Sequence, residues 1–487
     1  MDELQEVTVR FRVCLVTLLA VVALSDRVFA QGWSGDARKL ALGGVGTTQN
    51  LASEMIEKDP KYRSIVIPLG LLQLVGNFDK FDPNSDNFDP IRGLEYVANP
   101  YHITFGRNEE SAGRKIVTDI FNQRLSTNLN DYRGFIPSAN PKAEGILSFD
   151  LLHKTFKFST SGNSYQGFYV GIGPYFTHRT SLTLDQKLID ILSATGAPLT
   201  FPNSQFDIAL DRSTTQMAGA LTFGYRARVG LPAGLPARGT DREGVYVAVN
   251  YRYLRGFHLE DIGLKVRADT DGAGNITLDP LKPLAPCPLT SINPGVVPPT
   301  FGTPFCTDRQ TSSSGSGRSV DFGVATVFGP WEVGFGINGV TNKMEWSDVK
   351  RESYGLAPNI GLTSGTSGAS IELEKTDLGT VNDLTIEQPS EVLANAAYRA
   401  RFGTILGEVG HGYQGTSFGG GVEGKLGPFM ARGGMRYSNE KWNPTTGLGF
   451  DFFPRLGIDV AFLTSTANAE KKHNPVLAVS LRINAGS

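Results

Sequence analysis

From about Ile146 to Ile483 the chain alternates apolar residues with small or polar ones in short stretches. In the last stretch Leu477, Val479, Leu481 and Ile483 share one phase, and Ala478, Ser480, Arg482 and Asn484 share the other. A period of two sends successive side chains to opposite faces of a strand. The same reading gives strands near 143–158, 164–179, 213–229, 243–258, 318–329, 331–342, 392–402, 404–411, 415–427, 428–437, 445–453, 454–465 and 474–485. In 221–229 Leu221, Phe223, Tyr225 and Val229 oppose Thr222, Gly224, Arg226 and Arg228. In 245–253 three valines and two tyrosines oppose Tyr246, Ala248, Asn250 and Arg252, and in 331–338 Trp331, Val333, Phe335 and Ile337 oppose Glu332, Gly334, Gly336 and Asn338. Before Pro141 the pattern is weaker. Residues 62–72 and 94–106 read as strands and 77–92 as a loop, while Ile116, Val117, Ile120, Phe121 and Leu125 fall at helical spacing.

Connection lengths sort these strands. Gly329-Pro330, Gly427-Pro428 and Phe453-Pro454 leave almost no loop, whereas 181–212, 259–317 and 343–391 are long and polar. Counting back from a periplasmic C-terminus puts the short turns on the periplasmic side and the long connections outside, as in outer-membrane barrels. The 230–242 connection is the exception. Thirteen strands plus one upward strand from 62–72 or 94–106 would make the even number that both termini require. Aromatics at strand ends, such as Phe328, Trp331, Phe429, Tyr437, Phe452 and Phe453, are placed to form interface girdles.

The N-terminus points to export. Arg10 and Arg12 precede an apolar run from Val13 to Leu24, and Val28-Phe29-Ala30 ends in a small-x-small pattern, so residues 1–30 read as a signal peptide. The remaining chain holds no apolar stretch of about 18 residues, the length a spanning helix needs. Lipid admits only helices and closed barrels. A secreted sandwich also alternates, but here the polar phase holds glycine and large charges of both signs, which suits a wide, wet interior.

Mean hydropathy is −0.15 and hydrophobic content 40%, too polar for a helical membrane protein. Removing residues 1–30 takes four acids and three bases and leaves a net charge of −1, which is no nucleic-acid signature. Cys14 leaves with the signal. Cys287 and Cys306 form an even pair in a Pro/Gly/Ser-rich stretch, where a disulfide would staple an exposed loop in an oxidising compartment.

The segment Asp36-Ala37-Arg38-Lys39-Leu40-Ala41-Leu42-Gly43-Gly44-Val45-Gly46 resembles the N-terminal signature of a superfamily of outer-membrane barrels. That superfamily includes the long-chain fatty-acid transporters, plasmid-transfer-associated barrels and type IX secretion shuttle barrels. The resemblance implies a lumenal plug after the signal, fourteen strands, no cofactor and no catalysis. It implies outer-membrane lipid around the wall and a hydrophobic small molecule as ligand, taken up passively past the plug and out through wall or lumen. The alternative is a non-transporting barrel that docks a surface or periplasmic protein. Gly43, Gly44 and Gly46 need no more than a close-packed turn against a wall, or they belong to a gating plug.

The expected fold is therefore all-β: a transmembrane antiparallel β-barrel of about fourteen strands with an N-terminal plug and a few short helices. Residues 31–140 form the plug and irregular segment, and 141–487 the barrel. Arg226, Arg228, Asn250, Arg252, Asp321, Glu332, Asn338, Arg432, Arg436, Asp459 and Arg482 should line the lumen, as a mutually compensating wall, a grip on the plug or an anion filter.

Other chemistry is sparse. Gly415-Thr416-Ser417-Phe418-Gly419 has G-x-S-x-G spacing with His411 nearby, but it opens a strand, and a nucleophile elbow needs a strand–turn–helix. The six histidines are scattered, without metal-ligand spacing. Asp82-x-Asn84-x-Asp86 starts like a calcium loop, but Asn87 and Gly93 stand where an EF-hand needs glycine and glutamate. That leaves a solvated turn or a looser site. Leu184–Ala194 has helical spacing and would cap the mouth or hold an apolar ligand.

Overall fold

In the computed structural model the alternation becomes one antiparallel sheet of 22 strand segments. The structure describes residues 30–31, 36–46, 50–57, 63–68 and 142–485, apart from 149, 151, 162–163, 188–201, 232–241, 273–275, 278–304, 357–372, 414, 439–440, 454–455 and 467–472. The signal peptide, the 94–106 strand, the 109–129 helix, the acidic 79–89 loop and the Cys287–Cys306 disulfide lie outside the described residues, as does nearly all of the 184–194 helix.

The segments are β1 (Ala30–Gln31), β2 (Arg63–Pro68), β3 (Lys142–Ser148), β4 (Leu152–Ser161), β5 (Ser164–Leu184), β6 (Gln205–Val229) and β7 (Gly244–Thr270). Then come β8 (Ile276–Thr277), β9 (Phe305–Ser312), β10 (Ser314–Phe328), β11 (Trp331–Asn338), β12 (Lys343–Ser347), β13 (Val349–Leu356) and β14 (Leu373–Val381). The last are β15 (Leu384–Glu387), β16 (Glu391–Arg399), β17 (Gly403–Gly412), β18 (Gly415–Leu426), β19 (Phe429–Ser438), β20 (Lys441–Phe453), β21 (Leu456–Ser465) and β22 (Asn474–Ala485). Two short helices, α1 (Ala37–Ala41) and α2 (Leu51–Glu57), precede the wall.

Several segments stack end to end as one line of the wall. β3 and β4 both pair with β5. β9 continues β10 along β7. β11, β12 and β13 form one interrupted line facing β16, β15 and β14. Setting aside the two-residue β1 and β8, the described strands make fourteen lines: β2, β3–β4, β5, β6, β7, β9–β10, β11–β13, β14–β16 and β17 to β22. Residues 63–68 supply the expected upward strand, paired antiparallel with β22. The described pairings leave β2 and the β3–β4 line as the two sheet edges.

Three expected external loops are corrected. β5 and β6 extend into 181–212, β7 and β9 into 259–317, and β12 to β15 occupy most of 343–391. Above the lipid neither face must be apolar, so the alternation fades, while the backbone still needs ladder partners.

The faces are inverted relative to a soluble protein. Phe168 is 61% exposed, Ile172 51%, Phe223 47%, Val422 52% and Leu448 57%. On the opposite phase Arg226, Arg252, Asp321, Glu332, Arg432 and Asp459 are buried. An apolar belt of this extent marks a lipid-facing surface. Rings border it at both levels. Phe418, Tyr437 and Trp442 stack at one end, with centroids 6.0 and 5.1 Å apart, and Phe429, Phe450 and Phe452 at the other, 5.0 and 4.5 Å apart. Tyr437 and Phe429 sit eight residues apart on β19, about 27 Å along the strand, which at the tilt of a membrane strand rises about 20 Å through the apolar band.

The outward extension has its own polar anchor. Glu352 holds Lys375 at 2.6 Å and Lys350 at 3.1 Å, and accepts from the Tyr354 hydroxyl at 3.0 Å. Burial pushes its carboxyl up, but these three partners outweigh it and bring the pKa down to about 2 from 4.5. A depressed carboxylate adds stability above its unfolded pKa and loses it as pH falls through the folded value. Amide-exchange protection of β9, β13 and β14 should therefore decline between pH 4.5 and about 2, and Glu352→Gln should abolish that pH dependence. In the belt, Val422→Arg should lower the unfolding free energy in lipid vesicles by about 2–4 kcal/mol. The same substitution at exposed Thr380 should change it by less than about 0.5 kcal/mol.

Candidate functional site: a plugged lumen with an apolar neck

The segment 36–46 folds as a short helix and a glycine turn. Asp36 caps α1 by accepting from the Arg38 amide at 2.8 Å. Gly43, Gly44 and Gly46 have φ of 72, 75 and 76°, the left-handed region where a side chain is strained. Gly43 and Gly44 also have no room. A Cβ on Gly43 would lie 2.5 Å from the Met435 carbonyl oxygen and 2.6 Å from that of Gly420. The wall answers with glycines of its own: a Cβ on Gly421 would meet the Leu42 carbonyl oxygen at 2.7 Å, and one on Gly434 the Gly43 nitrogen at 2.5 Å. Backbone therefore lies on backbone. Thr445 Oγ1 donates to the Ala41 carbonyl at 2.9 Å, and the Ala37 and Gly46 amides donate to Ser480 Oγ and Glu408 Oε2, both at 2.8 Å.

Arg38 joins the plug to a row of alternating charges. Its Nε and Nη2 donate to the two oxygens of Glu423, each at 2.8 Å. Glu423 also accepts from Arg432 Nε at 2.6 Å, and Arg432 Nη1 reaches Asp459 Oδ1 at 2.7 Å. Asp459 Oδ2 takes Arg482 at 3.2 Å, and Arg482 reaches Asp451 at 3.0 Å. Glycine clears the way, since a Cβ on Gly449 would sit 2.5 Å from Asp459 Oδ1. Each buried charge has an opposite neighbour, which the low dielectric demands.

The second helix, α2, rests on β7, β10 and β11. Leu51, Ala52 and Ile56 are buried against Tyr246, Ala248, Ala325 and Val327. Asn50 caps the helix and donates to Asn395 Oδ1 at 3.0 Å, and Arg242 donates to the Ile56 carbonyl at 2.8 Å. Between the two helices a cleft of about 700 Å³, partly open to solvent, is lined by Arg38, Lys39, Asn50, Glu332, Asn395 and Glu408.

The remaining predicted residues also face inward. Arg252 pairs with Asp321, which accepts from the Gly339 amide at 2.8 Å. Arg226 donates to Asn250 at 2.7 Å and lies 4.3 Å from the Tyr169 ring centroid. Arg399 donates to Glu332 at 3.1 Å. Arg228 stacks over Tyr246, Arg436 lies against Gly44, and Asn338 is buried at the end of β11. Ser417 lies within a strand, and His411 hydrogen-bonds Thr416 at 2.8 Å. Among the described residues no group of three or more His, Cys, Asp or Glu could hold a metal.

At the outer end the inward phase turns apolar. Ile146, Tyr175, Ala218, Ala220, Leu254 and Leu259 converge on Met344, Trp346 and Val349. Lines β3, β5, β6 and β7 thus meet the β12–β13 line in one apolar cluster, the neck. A polar clasp spans it. The Tyr175 hydroxyl donates to Gln388 Oε1 at 3.0 Å and accepts from Asn342 Nδ2 at 2.9 Å, and Gln388 Nε2 reaches Thr177 at 2.8 Å. None of these neck residues was read from the sequence, because Trp346 and Gln388 fall in a stretch taken for loop. Glu423 was visible as an inward position of 415–427.

Fold and site together define a transmembrane β-barrel with a lumenal plug. No family model matches the chain, and a search of curated proteins found no relative. Among solved structures it is similar to the toluene transporter TbuX of Ralstonia pickettii, with TM-score 0.31 and 11% identity over 70% of this chain and 80% of that one. The CymD monoaromatic hydrocarbon channel gives 0.30 and 9% over 82% and 97%, and a mutant of the TodX monoaromatic hydrocarbon channel 0.29 and 10% over 72% and 91%. Likenesses of this depth carry no weight here; the fold rests on the strand pairings and exposure above.

Arg432→Met would leave Glu423 and Asp459 buried without their shared cation, and should cost about 3–5 kcal/mol of unfolding free energy. Gly434→Val should instead leave the wall intact and dislodge the turn at Gly43, seen as higher single-channel conductance in planar bilayers.

Proposed function

We propose that the protein is an outer-membrane barrel through which hydrophobic small molecules pass passively inward. The apolar neck carries this reading. A pore for ions or sugars needs a continuous polar path, and wet lumens are lined accordingly. Here aliphatic and aromatic side chains cluster on the inward phase toward the outer end of a charged lumen. A hydrated ion would lose its shell at such a neck, whereas an apolar solute has none to lose.

Two further features support the reading. The plug is held by its turn, its helix ends and Arg38, an arrangement that lets it shift without unfolding the wall. Asp150, between β3 and β4, accepts from Tyr169 and Thr222 at 2.7 and 2.8 Å. Exit past the plug or through the wall is open to an apolar solute. The resemblance of residues 36–46 to the fatty-acid transporter superfamily agrees with this class, and chain length of the ligand is left free.

The test is transfer of an apolar solute into vesicles bearing lipopolysaccharide in the outer leaflet, with and without the protein. Protein-dependent transfer of a labelled fatty acid or aromatic hydrocarbon, alongside negligible sucrose transfer, is the expected result. Equal rates in protein-free vesicles would favour the attachment role, in which the outward strands dock a surface partner and the neck stays shut.

A further inference from the structure

We propose that the seat of the Trp346 indole is the first binding site on the transport path, and that it selects flat apolar rings bearing one hydrogen-bond donor. Trp346 holds the seat as an intramolecular stand-in. This deepens the transport reading and rests on it.

The seat is built into the wall. Trp346 is fully buried, yet two sides of its ring rest on glycines rather than on side chains. A Cβ on Gly256 of β7 would lie 2.5 Å from Cη2, and one on Gly315 of β10 would lie 2.6 Å from Cε3. Glycines have nothing to collapse into a vacated space, so withdrawal of the indole leaves a flat slot. Leu254, Ala218 and Ala220 belong to the same buried cluster. The slot has one polar feature. Gln216 Oε1 accepts from Trp346 Nε1 at 2.9 Å, while Gln216 Nε2 donates to Thr177 Oγ1 at 3.3 Å. With its amide nitrogen so engaged, Gln216 presents a carbonyl oxygen to the slot, and a buried acceptor left unpaired is costly. An occupant that replaces the indole must therefore bring an N–H or O–H.

The indole sits on β12, five residues long and laddered to β10 and β15, between two left-handed positions, Gly339 with φ 70° and Asp348 with φ 51°, that mark the breaks of the β11–β13 line. The clasp across the neck consists of neutral hydrogen bonds among Tyr175, Asn342, Gln388 and Thr177. Neutral bonds exchange with water or a passing hydroxyl at small net cost.

Indole and its carbocyclic analogue indene have nearly the same shape and differ in the N–H. In the lipopolysaccharide vesicles, wild-type protein should move indole about fivefold faster than indene, the value of one neutral hydrogen bond, after subtraction of protein-free rates. Gln216→Leu should bring that ratio close to one, with indene transfer retained; Gln216→Met, closer in shape, serves if the leucine variant loses its heat-modifiable gel mobility. Trp346→Ala should raise both rates. An indole-to-indene ratio that persists in a folded Gln216 variant, or rates that Trp346→Ala leaves unchanged, overturns the selective seat while transport stands. If neither solute moves faster than in protein-free vesicles, the transport reading falls and the seat with it.

Discussion

Hydrocarbon offers no hydrogen bonds, and the rest of this structure follows from that. Every backbone group in the membrane must find a partner inside the protein, and among the described residues the ladder running from β2 through β22 and round to β3 provides them for every line but its two edges. The same solvent decides the faces. Phe223, Val422 and Leu448 turn out, so Arg226, Glu423, Arg432 and Asp459 must turn in. Charges sent inward are then buried beside one another and need compensation. The row Arg38–Glu423–Arg432–Asp459–Arg482 supplies it, each member shared by two opposite neighbours where geometry allows.

A wide tube also has to be filled, and glycine determines how. The turn at Gly43 and Gly44 can approach the wall because Gly421 and Gly434 have no side chains there. The contact is backbone on backbone, with Thr445, Ser480 and Glu408 completing the hydrogen bonds. A plug held this way is specific in position, with Ala37, Ala41, Leu42 and Val45 buried against the wall. In α2, Leu51 and Ile56 make an ordinary apolar contact with the wall.

The plug and the neck are thus held by different physics. At the plug the contacts are charged and polar, and buried. At the neck they are apolar around Trp346, with one clasp of neutral hydrogen bonds.

Much of this was legible along the chain. Period-two alternation determined the strands in the lipid zone, because the membrane forces a strict in–out contrast there. Left-handed glycine needs were readable at Gly43 and Gly44, since the turn is local. Beyond the lipid the contrast lapses: β9 and β12 to β15 keep their ladders with mixed side chains, and 343–391 read as loop. Which inward charges pair was also hidden, because Glu423, Arg432 and Asp459 come from three strands brought side by side only by register. The neck was the least visible part. Met344 and Trp346 alternate with Lys343, Glu345 and Ser347 over only five residues, and the meaning of Trp346 comes from Gly256, Gly315 and Gln216, up to 130 positions away. Local periodicity reports the solvent each strand meets; only closure of the wall decides which distant side chains face each other across the lumen.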